Sequence, residues 1–343
     1  MSDKFKNILK FFLLFGVAVA LLWLSLGSLK VGDGESRFGF IFKVWKTANK
    51  PFLVLSAITT ILSHIFRSER WKILMTPLGF PLKSTHGFFS VMIGYFVNLA
   101  IPRGGEISRC YNLYKLNDTP IDQSFGTVVA ERVIDLFFLL FFISLAFVIE
   151  LDNLLFFFKQ LNYNGNSSGK WITYLIVFLG GISVIVLLLL LFRKIYHWKY
   201  LRWLVKFKKT LIGLKKGLFV IFNMKQKGLF IVYSLGIWVM YILMSYTIIL
   251  AFPETGHLGL LESLTIFAIG GIAMAIPLPG GTGSYHVLVP LGLVLLYNIK
   301  QEEAIAFSFI FHGWQTLMII ILGLLSLFGS QWYIRKRRYA VTK

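Results

Sequence analysis

One cysteine, Cys110, stands in 343 residues, which excludes an intrachain disulfide and any cysteine cluster for zinc. Acidic residues are scarce as well, 15 against 35 Lys and Arg, and this leaves a formal net charge of +20. No polar stretch is long enough to fold as a soluble domain. Nor is there an Asp-x-Asp, Asp-Asp-x-x-Asp or His-Glu-x-x-His pattern to carry metal-dependent transferase or hydrolase chemistry. The 57% of hydrophobic residues exceeds the roughly 45 to 50% of ordinary soluble domains, and mean hydropathy is +0.73. The composition describes an all-α integral membrane protein, and any activity must reside in the helical bundle or on its rim.

A helix rises 1.5 Å per residue, so about 20 apolar residues cross roughly 30 Å of hydrocarbon. Runs of that kind lie near 8–29, 51–66, 121–149, 171–192, 228–252 and 304–328. The first follows Lys4, Lys6 and Lys10 and reads as a helix rather than a signal peptide, because no convincing small-residue cleavage site ends it. Two further apolar stretches, 84–116 and 262–297, are interrupted. Residues 93–108 read IGYFVNLAIPRGGEIS and residues 269–284 read IGGIAMAIPLPGGTGS. Each has Ile-Gly, an apolar run, Ala-Ile-Pro and a Gly-Gly pair. Broken helices survive at bilayer depth only inside protein or beside a wet cavity, and paired breaks in two halves of a chain point to a transport site. The alternative is two unrelated Gly-Pro loops at the membrane surface.

Charge distribution supplies orientation. The basic residues flank apolar spans, as the positive-inside rule describes, so the net charge does not call for nucleic acid. Segment 193–227 carries eleven Lys or Arg and no acid, and the basic tail 335–343 contains Arg335 to Arg338. Both are expected in the cytoplasm with the N-terminus. If all eight apolar stretches crossed once, 67–83 and 193–227 would fall on opposite sides. Treating 84–116 and 262–297 as re-entrant hairpins that open on opposite faces puts 26 Lys or Arg inside and 8 outside, with Arg132 inside a span. The expectation is a polytopic bundle, a single unit over 1–343, with six full spans and two opposed broken-helix hairpins. Five basic residues in 30–50 run against it. Within 193–227, Leu201, Leu204, Leu211, Leu218 and Phe219 lie opposite Arg202, Lys206, Lys209 and Lys216, which reads either as an interfacial helix favouring anionic lipid or as a plain basic loop.

Glu131, Arg132 and Asp135 sit about halfway along the run that starts at Ile121. A charge at that depth costs on the order of 2.5 to 3.5 kcal/mol on insertion scales. Glu131 and Asp135 share a face, and Arg132 and Asp135 are spaced to pair. The cluster is either a self-neutralising knot or the lining of a polar cavity, with Arg132 available to an anion. Around the first break lie Asn98, Arg103, Glu106 and Arg109. A half-helix starting near Gly104 would aim unpaired N–H groups at a ligand, and Arg103 and Arg109 would add forked donors suited to phosphate. Glu106 and Arg109 are alternatively a simple pair. The second break offers a backbone nest at Gly280, Gly281 and Gly283. His64, His286 and His312 read as hydrogen-bonding groups rather than metal ligands.

Three motifs, NLAIPRGGEISR at 98–109, AERVID at 130–135 and PLPGGTG at 277–283, resemble the lysylphosphatidylglycerol synthase transmembrane (flippase-like) family across essentially the whole chain. The resemblance implies a lipid-handling membrane module, in some relatives the flippase half of a synthase. Members often carry a Glu three residues after the last Gly of the second break, where this chain has His286. The chain stops about fifteen residues after its last span, so lipid aminoacylation by this polypeptide is not expected. The expected activity is movement of an anionic phospholipid or polyprenyl-linked lipid across the cell membrane, without a cofactor. A transferase acting on lipid-linked sugars or amino acids, a scaffold for a cell-envelope complex, and a separate soluble biosynthetic enzyme as partner are the alternatives that composition leaves open.

Overall fold

A computed structural model of the chain describes residues 3–32, 35–152 and 208–341. The regular elements among them are all helical. Eleven α-helices follow one another: α1 (Asp3–Gly27), α2 (Arg37–Thr47), α3 (Lys50–Met75), α4 (Ser84–Ala100), α5 (Gly105–Asn117), α6 (Ile121–Ile149), α7 (Lys208–Asn223), α8 (Lys227–Ala251), α9 (Leu260–Ala275), α10 (Ser284–Tyr297) and α11 (Gln301–Val341). Four of them, α3, α6, α8 and α11, are long and apolar enough to cross a membrane. They bracket two pairs of shorter helices, so that the order long, short, short, long occurs twice.

The two occurrences pack on each other reciprocally. Helix α3 lies along α8, while α6 lies against α9 and α11 against α4. The α3–α8 pair is antiparallel: Arg70 reaches Ser234, Arg67 reaches Tyr241, and the Asn49 N–H just before α3 bonds the Ala251 carbonyl. Each short pair is a hairpin whose outer ends meet. The His86 ring and the Asn117 side chain are 2.6 Å apart at the base of α4–α5, and the Tyr297 hydroxyl bonds the Glu262 carbonyl at the base of α9–α10.

Local chemistry explains the tight first hairpin. A Cβ on Gly105 would lie 2.0 Å from the Gly94 carbonyl oxygen, so the arms approach to backbone contact where only glycine fits. The turn between them passes through Arg103 at φ 61°. In the second hairpin the break holds Gly280, Gly281 and Gly283 at φ 56°, 72° and 92°, which side chains rarely adopt. Two hairpin tips also meet each other, since the Leu99 Cα sits 3.7 Å from where a Gly280 side chain would begin. The largest apolar core, with Ile248, Phe252, Tyr285, Val289, Phe307 and Phe311, fills the second half of the bundle.

Several expected boundaries move. The run expected to end at residue 66 continues as helix to Met75, which buries Arg67 and Arg70 rather than leaving them in a basic loop. The part of 193–227 that is described forms α7, docked along the first turns of α6 with Gly217 facing Gly126. The tail from residue 335 extends α11 to Val341. The expected span at 171–192 lies outside the described residues.

Two consequences can be checked. Single cysteines replacing Ser84 and Asp118 on a Cys110→Ala background should label with an impermeant thiol reagent from one and the same side, because the hairpin base brings them together; labelling from opposite sides would contradict the fold. Gly105→Ala, which forces the arms apart, should lower the melting temperature of the detergent-solubilised protein by an amount equivalent to about 1 to 3 kcal/mol, the usual range for overpacking.

Candidate functional site

Helix α3 carries a buried polar stripe, Ser56, Thr60, Ser63, Arg67 and Arg70, at alternating spacings of four and three. The stripe brings two guanidiniums to the face that α6 covers. On α6, Glu131 and Asp135 project from one face by their spacing of four. Arg67 Nη1 donates to Asp135 Oδ2 at 2.7 Å, and Arg70 lies 2.8 Å from Asp135 Oδ1 and 3.3 Å from Glu131 Oε1. Helix α5 contributes Arg109, whose Nη2 is 2.9 Å from Glu131 Oε2. Glu131 therefore joins α3, α5 and α6 through opposite charges. At the edge, Arg132 pairs with Glu106 at 3.2 Å and Asp135 at 3.7 Å.

Aromatic side chains hold this network in place. Trp71 donates from its indole nitrogen to Thr127 at 2.8 Å and presents its ring to the Arg109 guanidinium, 3.7 Å from the centroid. Stacking of that kind suits the planar, weakly hydrated guanidinium. Arg67 also donates to the Tyr241 hydroxyl, which lies 3.4 Å from that of Tyr95.

The charges do not cancel. Four guanidiniums, of Arg67, Arg70, Arg109 and Arg132, face three carboxylates, of Glu106, Glu131 and Asp135. One positive charge is left over among the described residues. Several donors are also unspent, because Arg67 Nε, Arg70 Nη2 and Arg109 Nε are buried without a hydrogen-bond partner among the described residues. The Arg109–Glu131 contact is an ion pair without hydrogen-bond alignment. A narrow crevice of about 10 Å³, room for about one water, lies beside it, lined by Gly94, Tyr95, Asn98, Glu106, Arg109 and Arg132 among others. Arg132 is 42% exposed and Glu106 20%, whereas Glu131 is 1% exposed. Access is therefore at the Arg132–Glu106 pair, beside the first helix break.

Sequence reasoning brings Asn98, Glu106, Arg109, Glu131, Arg132 and Asp135 to this place, and the fold assembles them there. Asn98, however, accepts from the Gly105 N–H at 2.7 Å, so that donor at the start of α5 is capped rather than aimed at a ligand. Glu106 and Arg109 do not pair with each other but cross over to Arg132 and Glu131. Arg103 sits exposed at the hairpin tip and has no ion-pair partner among the described residues, so it does not join Arg109 in a clamp. Gly280, Gly281, Gly283 and His286 form a separate knot. The Gly283 N–H donates to His286 Nδ1, His312 Nε2 bonds the Gly280 carbonyl, and Ser25 on α1 donates to the His286 carbonyl. Among the described residues no three His, Cys, Asp or Glu side chains are grouped to hold a metal ion.

Arg67 and Arg70 are the members of this cluster that the apolar-run reading missed. Their signal was the polar stripe itself, whose period continues unbroken past residue 66.

A family model for the lysylphosphatidylglycerol synthase transmembrane region matches residues 7–323. A UPF0104 membrane protein of Methanocaldococcus jannaschii is 38% identical over 105 residues, which cover 30% of this chain and 31% of that protein. Another UPF0104 membrane protein, from Pyrococcus horikoshii, is 24% identical over 283 residues, 78% of this chain and 82% of its own. No solved structure matches.

Removing one member of a buried ion pair typically costs about 3 to 5 kcal/mol, against under about 1 kcal/mol for an exposed one. Glu131→Gln should therefore depress the melting temperature of the purified protein strongly, and Arg132→Gln hardly at all. Equal effects would mean that Glu131 does not tie the three helices together.

Proposed function

Because the chain belongs to the lysylphosphatidylglycerol synthase transmembrane-region family, we propose that this integral, multi-pass membrane protein carries a phosphate-bearing lipid between leaflets. Its cargo is an anionic phospholipid or a polyprenyl-linked lipid. The observation that carries this reading is the uncompensated guanidinium of the buried cluster, reached through Arg132 at the hairpin break. The phosphodiester of a phospholipid offers two non-bridging acceptor oxygens to the unspent donors, and charge-assisted bonds of this type are strong where water is excluded. Arg132 is the entry group. Its contacts to Glu106 and Asp135 are the most exposed ones of the network, so an incoming phosphate displaces them at least cost.

The topology supports a shuttle. Hairpin arms of 17, 13, 16 and 14 residues are about 20 to 26 Å long at 1.5 Å per residue, short of a hydrocarbon core of about 30 Å. With their bases paired and their tips in contact at Leu99 and Gly280, two such hairpins entering from opposite faces close the path between leaflets at the point where they touch. Lys83, Lys115, Lys215, Lys216, Arg335 and Arg337 belong to segments gathered at the base of the first hairpin. By the positive-inside rule that end is cytoplasmic, which places both termini there.

Mass spectrometry of lipid retained by the purified protein tests the reading. A phosphate-bearing lipid should co-purify in near-stoichiometric amount, and Arg132→Gln should reduce its retention by about tenfold, one lost charge-assisted contact, with little change in melting temperature. Arg132→Lys should fall between, because a point charge replaces a fork. Equal retention of anionic and neutral lipids by the unaltered protein would defeat the proposal.

A further inference from the structure

At the base of the first hairpin lies a second, larger hollow. It is an open cavity of about 560 Å³ between the turn before α4, the end of α5 and the last turns of α11. Pockets of roughly 300 to 1,000 Å³ are the size that holds small organic ligands. Leu116, in this cavity's wall, is seven residues or about 10 Å farther along α5 than Arg109 in the buried cluster. The two sites are separate.

The lining is cationic at its mouth. Lys83 and Lys336 are exposed, and the Lys336 ammonium lies 5.2 Å from the Trp332 ring centroid. Arg337 is already engaged, donating to the Asp118 carboxylate and the Leu116 carbonyl. After that pairing, the two lysines remain as positive charge without a carboxylate partner among the described residues.

The wall of the cavity contains two unspent polar groups. His86 is 7% exposed and Thr119 1%, and both line the cavity. His86 Nδ1 is committed to the Asn117 side-chain oxygen at 2.6 Å, and its ring meets Tyr333 edge-on. Its Nε2 has no hydrogen-bond partner among the described residues, and neither does the Thr119 hydroxyl. Polar groups without a protein partner are completed by a hydrogen-bonding molecule that occupies the cavity. Because Nδ1 donates to Asn117, the neutral ring offers Nε2 as an acceptor. The complement is a ligand hydroxyl, next to an anion for the lysines.

We propose that this cavity binds a phosphoester bearing a hydroxylated headgroup, of the glycerol-phosphate or sugar-phosphate class, with Lys83 and Lys336 on the phosphate and His86 and Thr119 on the headgroup. A lipid headgroup of the leaflet at the basic end is the source, since basic pockets between helices at that level take such headgroups. The site stands whether or not the buried cluster carries lipid.

Native mass spectrometry of the full chain titrated with dioleoylphosphatidylglycerol, with dioleoylphosphatidylcholine as the comparison, tests it. The Lys83→Gln/Lys336→Gln double variant should bind phosphatidylglycerol at least about tenfold more weakly than the unaltered protein. Thr119→Val should weaken binding too, yet leave the melting temperature level or raised, because the lost hydroxyl has no partner in the ligand-free chain. Arg132→Gln, which disables the deep site, should leave this binding event intact, so failure of one site does not imply failure of the other. Displacement by free glycerol 3-phosphate would identify a soluble phosphoester as the ligand, and its lack of effect would identify the lipid. Undiminished phosphatidylglycerol binding by the double variant, or equal affinity for phosphatidylcholine, would overturn the proposal. A fall in melting temperature for Thr119→Val with unchanged binding would do the same.

Discussion

A carboxylate cannot be taken out of water by itself, and Glu131 is almost completely enclosed. Its only tolerable surroundings are positive, and the fold supplies them from two other helices, Arg70 on α3 and Arg109 on α5. This requirement sets the relative depth of three elements. Helix α3 must run beyond its apolar stretch to bring Arg70 level with Glu131, and α5 must start early enough to present Arg109 within its second turn. The break between α4 and α5 thus lies beside the charges. The Gly94–Gly105 contact, which draws the two arms together, acts in the same direction as the ion pair.

The excess of arginine over carboxylate is what supports the proposed anion site over a purely structural knot. A knot that only pinned helices would gain most from full neutralisation, because buried surplus charge is costly. Here the surplus is placed where Arg132 remains partly exposed and, among the described residues, only Glu106 and Asp135 oppose it. Stability therefore resides in the inner contacts of Glu131 and Asp135, while the outer contact can exchange. The second hairpin has a different chemistry at the corresponding break, with His286 and His312 bonded to backbone and no arginine among their partners. The two halves repeat in architecture but divide in chemistry, one charged and the other aromatic and apolar.

The all-helical character and the two breaks were legible because both depend on local composition. Residues 121–149 form one helix from Ile121 to Ile149, and the Pro-Gly-Gly interruptions end helices where they occur. Glu131, Arg132 and Asp135 were legible as exceptions to an apolar run. Arg67 and Arg70 were harder to see, because a count of consecutive apolar residues ends a span at its first charge, whereas a helix continues as long as its buried face is satisfied. Asn98 was visible as polar but its role was not. Whether an amide caps a helix or meets a ligand depends on where the next helix begins in space.

Hydropathy and helical periodicity by themselves determined that this is an all-helical membrane protein with two interrupted segments, since the bilayer constrains each segment separately through its length and its backbone hydrogen bonds. Pairing was not determined in that way. Glu106 and Arg109 are three residues apart and could have joined, yet each is paired across to α6. Only tertiary structure decided this, along with the isolation of Arg103 and the meeting of Lys83, Thr119 and Lys336 around one cavity. Electrostatic partners are chosen by distance in three dimensions, and sequence spacing reports distance only within a single helix.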